Sequence, residues 1–527
     1  MRVKHAVLVS VLCTGCSLLS APLLSTHAPA PSTASPSPAK PVTRAPATLA
    51  ATTPAAPTPF VDWSNEDDQE QALLQAFAAD AVSFPDATRY WIEASVSFDP
   101  AMAHAVIEGR ERVRFTNPLD LPLEEIALML WPNNEQYAAE MNAGPAVVDG
   151  RLVIPEPEAE GVGLRVALAH PLAPGEVVDL TIPFRVVTTD PVTLSSPKRF
   201  GIAQGMLMAP TFYPLIPRLM PTGEWQVMVA PPGGDTTNSD VAFYDVYLTV
   251  PEELVLVATG VEIGRTPATS GTVTVHHASG PVRDFAFAIG PFVPAQAPAG
   301  EVMARAWALP EHAAEAESLA KTAARALQSF ESWIGPYPYD ELDVIDAPGA
   351  FGGIEYPGLI FIGVVGDRAD DDVVIHEVAH QWFYALIGND QLLEPWLDEG
   401  AASYLETLYY ESTGDVRTAT RLLDEDRRIL RAVGRTETPI GLPLGEYASE
   451  NDYAVFVYLK GALFFDALRN RLSESGFREF LQTYFADQRY GFGSAEAFQK
   501  TAEATCACDL TNLFDLWVYQ GGPLPIP

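Results

Sequence analysis

The stretch HEVAHQWFYALIGNDQLLEPWLDEGAASYLE, residues 376–406, combines an HExxH pentapeptide with a glutamate that follows eighteen intervening residues later. On an α-helix with about 3.6 residues per turn, His376 and His380 project from one face, where both imidazoles can bind one zinc ion at about 2.0 to 2.1 Å. Glu377 points to one side of the helix face that carries the two histidines. It can therefore exchange a proton with a water molecule without binding the metal. Glu399, on a second helical segment, supplies a third ligand and leaves a fourth position open. This is the pattern of a catalytic zinc site.

The residues that flank the pentapeptide also favour a helix. Asp370, Asp371 and Asp372 place negative charge at its positive N-terminal end, and Gly388 is expected to end it. The alternative is that the two histidines are ordinary polar residues on a half-buried helix. The chain has only 9 histidines in 527 residues, however, so an HExxH followed by a suitably spaced glutamate is rare by chance. We therefore predict one Zn²⁺ per chain.

The charge of the chain excludes some partners. Asp and Glu number 68 against 32 Lys and Arg, which gives a formal net charge of -36. Such a protein repels phosphate backbones and anionic lipid head groups, so we predict no binding to nucleic acid. The same field could attract cationic or free-amine substrates, and an acidic surface without such a role is the alternative.

The N-terminus, MRVKHAVLVSVLCTGC at residues 1–16, has the basic start, short apolar stretch and small residues of an export signal. Its last four residues resemble a bacterial lipoprotein box, in which Cys16 would become the lipidated first residue. The expectation is a cell-envelope lipoprotein that faces outside the cytoplasm and touches the membrane only through this anchor. An ordinary cleaved signal peptide and secretion remain the alternative.

Composition and periodicity divide the remainder of the chain. Residues 17–59 are rich in Pro, Ala, Ser and Thr and predict a disordered linker, and residues 60–85 predict an acidic helical lead-in. Residues 86–300 alternate apolar and polar side chains in short runs and predict an all-β domain. From residue 301 to residue 527 helical patterns dominate, so we predict a mixed α/β catalytic domain with C-terminal helices.

The chain resembles the aminopeptidase N family of gluzincin metallopeptidases. The family's HExxH, its eighteen-residue gap and its WLNEGFA-like block correspond to residues 376–380 and 396–402, with Asp398 in place of the usual Asn. The resemblance implies an α+β multidomain fold in which an N-terminal β domain with a saddle-like sheet precedes a thermolysin-like catalytic domain with a short helical C-terminus. It also implies a zinc aminopeptidase that hydrolyses the N-terminal peptide bond, with Glu377 as the general base.

Two further family signatures occur in the expected order. Gly352-Gly353-Ile354-Glu355 matches the loop whose glutamate binds the free α-amino group of the substrate, and its glycines allow the substrate backbone to approach closely. A turn without a function is the alternative reading of this glycine-rich segment.

The third signature is a tyrosine before Lys-Gly on a later helix. Tyr458 matches it, and in the family this hydroxyl donates to the oxyanion that forms on the scissile carbonyl. Tyr453 lies where some family members carry a second tyrosine in the active site. The neighbours of Tyr458 are apolar, so an amphipathic core position is the alternative.

Several alternatives stay open. An endopeptidase or dipeptidase could use the same zinc site without recognising an amine, and a catalytically silent surface scaffold could retain the fold. Only 65 residues follow Ala462, too few for the large helical domain of long family members. Glu406 either supports a zinc histidine or lies on the surface. Cys506 and Cys508 either form a disulfide or stay reduced.

Overall fold

The structure is a computed structural model that describes residues 61, 63 and 66–524, except for residues 190, 194–196, 232, 235–236, 270 and 364–369. The expected signal peptide, the linker and the anchor residue Cys16 lie outside the described residues. None of the described helices is long and apolar enough to span a membrane.

Sixteen strands precede the catalytic sheet in the described chain. They are β1 Thr88–Phe98, β2 Ala105–Thr116, β3 Leu123–Met129, β4 Ala139–Ala143, β5 Ala146–Val148, β6 Arg151–Val153, β7 Glu156–Glu158, β8 Gly163–Leu172, β9 Val177–Thr188, β10 Gly201–Ala203, β11 Met206–Pro210, β12 Ala242–Pro251, β13 Val255–Ala258, β14 Val261–Pro267, β15 Thr272–Ala278 and β16 Ala286–Gly290.

These strands form three sheets. The largest has nine strands in the order β14-β15-β12-β1-β2-β9-β5-β6, with β4 also paired to β9; the others are β3-β8-β7 and β10-β11-β16-β13. In β1 the apolar residues Tyr90, Ile92, Ala94 and Val96 are buried, and the residues between them are half-buried or exposed. The period of two in the sequence thus gives this sheet one face toward the core.

The catalytic sheet comprises β17 Val293–Ala299, β18 Val302–Ala308, β19 Glu341–Ala347, β20 Gly353–Tyr356 and β21 Leu359–Gly363. Its order is β17-β18-β19-β21-β20, and the three central strands run parallel. β20 is an antiparallel edge strand. Because β17 is hydrogen-bonded to β18, this sheet begins before the boundary that the composition placed at residue 300.

The helices are α1 Asp67–Glu70, α2 Ala316–Trp333, α3 Asp371–Ala379, α4 Glu399–Ser412, α5 Val416–Val433, α6 Glu450–Tyr453, α7 Gly461–Gln488, α8 Ala495–Cys506 and α9 Thr511–Phe514. Among its described residues, the acidic lead-in has the single turn α1 and a 3₁₀ helix over Gln75–Ala81. Cys506 and Cys508 form a disulfide. β sheets followed by a helix-rich region match the expected fold class, which is confirmed.

The zinc-binding helix ends earlier than the sequence suggested. Asp370 caps α3 by accepting a hydrogen bond from the Asp372 N–H, as expected, but α3 stops at Ala379 instead of reaching Gly388. Beyond it, the N–H groups of residues 385–387 donate to carbonyls five residues earlier, which is a wider turn than an α-helix has. The expectation of a continuous helix to Gly388 is therefore wrong. Nothing in the local composition signals this change of turn.

One buried arginine of the β region joins it to the catalytic region. Arg283 is 1% exposed, and its guanidinium donates to the backbone carbonyls of Ser239, Tyr384 and Gly491. Its Cζ atom also lies 4.7 Å from the ring centre of Phe492. These contacts hold the chain directly after α3, at Tyr384, against the β region at Ser239 and against the segment after α7 at Gly491.

Candidate metal and peptide site

The two HExxH histidines and Glu399 converge below the catalytic sheet. His376 lies on α3, His380 is the residue that caps its C-terminus, and Glu399 begins α4. The Glu399 Oε2 atom lies 3.2 Å from His376 Nε2 and 3.3 Å from His380 Nε2. All three side chains are buried, and the sequence reasoning had placed all three here.

Hydrogen bonds orient both imidazoles toward this point. His380 Nδ1 donates to the Phe383 carbonyl at 3.0 Å, and His376 Nδ1 pairs with Glu406 Oε1 at 3.1 Å. With Nδ1 used in this way, Nε2 of each ring is the atom that faces Glu399. A carboxylate or carbonyl behind a metal-binding histidine fixes its tautomer and raises its basicity.

The donor set fits a zinc ion. Two ligand atoms that each lie about 2.1 Å from a tetrahedral zinc are about 3.4 Å apart, close to the observed spacings. One carboxylate oxygen faces two ring nitrogens, and the lone pairs of these three atoms repel one another unless a cation lies between them. Without a metal, protons on the ring nitrogens are those cations. Burial by itself lowers the pKa of His376, but the hydrogen bonds to Glu399 and Glu406 outweigh it and raise that pKa to about 9. A divalent cation satisfies the same atoms with one ion.

Glu406 contacts one of the two HExxH histidines, which favours the first of the two readings that the sequence leaves open for this residue. Its side chain is 6% exposed and contacts His376 rather than solvent. We expect Glu406→Gln to weaken zinc binding by about 10- to 100-fold, because the amide is a poorer partner for the imidazole N–H. Competition for zinc with a calibrated chelator measures this affinity.

The matched control for that substitution is Glu411→Gln. Glu411 lies on the same helix, α4, and its carboxylate pairs with Arg469 at 2.8 Å instead of with a histidine. Equal zinc affinity in the Glu406→Gln variant and the wild type would show that Glu406 does not tune the metal site.

Glu377 lies beside the three ligands without joining them. It is 5% exposed, and burial raises the pKa of its carboxyl to about 8. Its Oε2 atom has no hydrogen-bond partner among the described residues. A Cβ at position 353 would overlap the Glu377 carboxylate, so Gly353 makes room for this side chain. A buried carboxyl with a raised pKa and a free oxygen can take up and return a proton near neutral pH.

Tyr458 contacts two residues of the site, Glu399 and His376. Its hydroxyl donates to Glu399 Oε1 at 2.6 Å, and its ring centre lies 5.9 Å from that of His376. The residue is half-buried and belongs to a π-helical segment, Ala454–Lys460, a wide turn often found at functional sites. Tyr453 packs edge-on against it with ring centres 5.7 Å apart. The amphipathic-core alternative for Tyr458 does not explain its hydroxyl contact.

Glu355 lies on the edge strand β20, close to His380. Its side chain is 3% exposed, and its carboxylate, His380 and Asp398 each offer a ligand atom within 4.8 Å of the others. Gly352, which precedes this strand, has a backbone φ of 81°, a conformation that favours glycine. Glu355 and Glu377 are close enough to interact electrostatically.

Sequence reasoning missed Gln391. Its Nε2 donates to Asp398 Oδ2 at 3.0 Å and to Glu355 Oε1 at 3.4 Å, and the side chain is 2% exposed. A lone glutamine in the loop between α3 and α4 matches no spacing rule, so only its position in the fold reveals it. The departure at Asp398 was visible in the sequence, but its contacts were not.

The site combines two histidines of one helix with a glutamate of the next, and a further glutamate lies beside them outside the group of candidate ligands. This arrangement defines the site of a zinc metallopeptidase. Residues 319–517 match the family model described as "Peptidase family M1 domain". This match covers the catalytic region and confirms the resemblance to the aminopeptidase N family.

Known proteins agree with this assignment. Aminopeptidase M1 of Arabidopsis thaliana is 28% identical over 216 residues, which are 38% of this chain and 25% of that protein. Leucine aminopeptidase 2 of Ajellomyces capsulatus is 25% identical over 463 residues, covering 82% of this chain and 70% of that protein. The chain thus spans only about a quarter of the plant relative's length.

Among solved structures, an M1 zinc metallopeptidase from Deinococcus radiodurans superimposes with a TM-score of 0.64. The two chains are 22% identical, and the match covers 84% of this chain and 96% of that one. A mutant of the bacterial protein is described with a Tyr-Ser-Ala substrate bound. At this identity the comparison establishes the shared fold.

Proposed function

We propose that this protein is a zinc aminopeptidase that removes residues from the free N-termini of peptides. The observation that carries the proposal is the placement of Glu355. Its buried carboxylate lies next to His380, one of the three zinc ligands, and an ammonium group bound there would place the first peptide bond of a substrate at the metal. The aminopeptidase names of the relatives, and the tripeptide bound to the similar bacterial protein, support the same substrate class.

Each residue has a role that its environment allows. Zinc held by His376, His380 and Glu399 would supply a Lewis acid that polarises the carbonyl and acidifies water. Glu377 accepts the proton of the attacking water and returns it to the leaving amine. The Tyr458 hydroxyl donates to the oxygen on which negative charge develops, as an oxyanion-hole donor does.

The proposed amine contact is tested with Glu355→Gln. We expect this variant to lose about 10- to 100-fold in kcat/KM on aminoacyl reporter substrates with a free amine, because an amide cannot pair with an ammonium as a carboxylate does. N-acetylated twins of the same reporters should be cleaved poorly by both proteins, with no comparable difference between them. Steady-state kinetics on the paired substrates gives both numbers.

An exposed glutamate of the β region supplies the control for Glu355→Gln. Glu253→Gln, at an exposed position of the β region, should leave all rates unchanged. Equal losses on free and blocked substrates would mean that Glu355 does not recognise the amine, and good cleavage of blocked peptides by the wild type would favour an endopeptidase.

A further inference from the structure

Asp398 places its carboxylate beside Glu355 and His380 instead of capping a helix. It occupies the N-cap position of α4, where an aspartate normally accepts a hydrogen bond from a backbone N–H two or three residues later, yet its side chain makes no such bond. It is 1% exposed and lies in the same group as Glu355 and His380. Within the described part of the chain, its carboxylate accepts a single hydrogen bond, from Gln391 Nε2 to Oδ2.

This group of side chains has more acceptors than donors. Asp398 Oδ1 and Gln391 Oε1 are both buried without a hydrogen-bond partner among the described residues. The single Nε2 group of Gln391 is shared between Asp398 and Glu355. Buried acceptors without donors are costly, so this arrangement is suited to a ligand that brings several N–H donors and positive charge.

We propose that Asp398 is the second carboxylate of the ammonium site, so that Asp398 and Glu355 together hold the free α-amino group of the substrate. This inference rests on the proposed function and deepens it. An ammonium group has three N–H donors, enough for both carboxylates and one more acceptor such as the amide oxygen of Gln391. The family usually carries Asn at this position, so this chain has an additional carboxyl group there.

A second metal ion is a poorer occupant of the same group. The His380 Nε2 atom lies 3.3 Å from Glu399 Oε2, and its lone pair therefore belongs to the zinc site already described. Without that histidine, a metal between Glu355 and Asp398 would have only two carboxylates and an amide oxygen. A primary amine needs no coordination geometry and fits the acceptors that remain.

The test compares Asp398→Asn with the unchanged residue, both in a zinc-loaded Glu377→Gln background in which turnover is slow. Asn has nearly the same shape and keeps an acceptor for Gln391, so the variant removes the charge and little else. Binding of leucinamide and of N-acetyl-leucinamide is measured by calorimetry, and zinc content by elemental analysis. We expect Asp398→Asn to weaken leucinamide binding by about 10- to 100-fold and to leave the N-acetyl compound and the zinc content unchanged.

Asp390→Asn is the matched control. Asp390 is also a buried aspartate of the loop before α4, but its carboxylate accepts hydrogen bonds from Gln226 and Asn238 and pairs with Arg218. This control should bind leucinamide as the background protein does.

Three results would overturn the proposal: unchanged leucinamide binding, an equal loss for both compounds, or a loss of zinc, which would make Asp398 a support of Glu399. A second divalent ion per chain in the unchanged protein would also assign the group to a metal. Failure of the proposed function is separate from these results, because it is detected in the wild type as cleavage that does not distinguish free from acetylated substrates.

Discussion

Glu377→Gln is expected to lower kcat on free-amine substrates by about 10²- to 10⁴-fold, the range that a positioned general acid–base contributes. An amide cannot accept the proton of the attacking water. The carboxyl of Glu377 is suited to that task because burial raises its pKa to about 8 and its Oε2 atom is free of protein partners in the described chain. Measurement of kcat with saturating substrate gives the loss directly.

Zinc content separates this effect from damage to the metal site. Glu377 lies outside the group formed by His376, His380 and Glu399, so the variant should retain one zinc per chain. A variant that keeps its zinc and more than about a tenth of the wild-type kcat would contradict the role of Glu377 as the base.

Removal of zinc is expected to abolish turnover and also to destabilise the fold. With free zinc at about 100 to 1,000 times its Kd, binding to the folded state adds about 3 to 4 kcal/mol to the free energy of unfolding. The stabilisation arises because the metal compensates three buried groups, two imidazoles and a carboxylate, that face one another. Denaturant unfolding with added zinc and with added chelator measures the difference.

His380→Ala supplies the control for that experiment. It removes one ligand that is 1% exposed, so the stability of this variant should no longer respond to zinc. A wild-type protein whose unfolding curve is the same in zinc and in chelator would contradict a tightly held metal at this site.

The parts of the site that local spacing determines could be predicted from the sequence. His376 and His380 are one turn apart on any helix, and Glu399 was identified by its distance along the chain. Glu355 and Tyr458 were identified only through resemblance, because no spacing rule links a strand at residue 355 to a helix at residue 458. The structure brings both to the ligands through packing between distant elements.

Other features depend on tertiary contacts that a sequence pattern does not encode. The α3 helix ends at Ala379 and wider turns follow at residues 385–387, and β17 belongs to the catalytic sheet through its pairing with β18. Gln391 contacts Asp398 and Glu355 from an irregular loop. In each case the deciding contact is absent from the local composition.

Mass spectrometry of the products from one short unblocked peptide and from its N-acetylated twin tests the central claim most directly. The protein is incubated with each peptide, with and without a zinc chelator, and the products are identified over time. The result predicted is stepwise loss of single residues from the free N-terminus, stopped by the chelator and absent from the acetylated twin. Internal cleavage, or equal digestion of both peptides, would contradict an aminopeptidase.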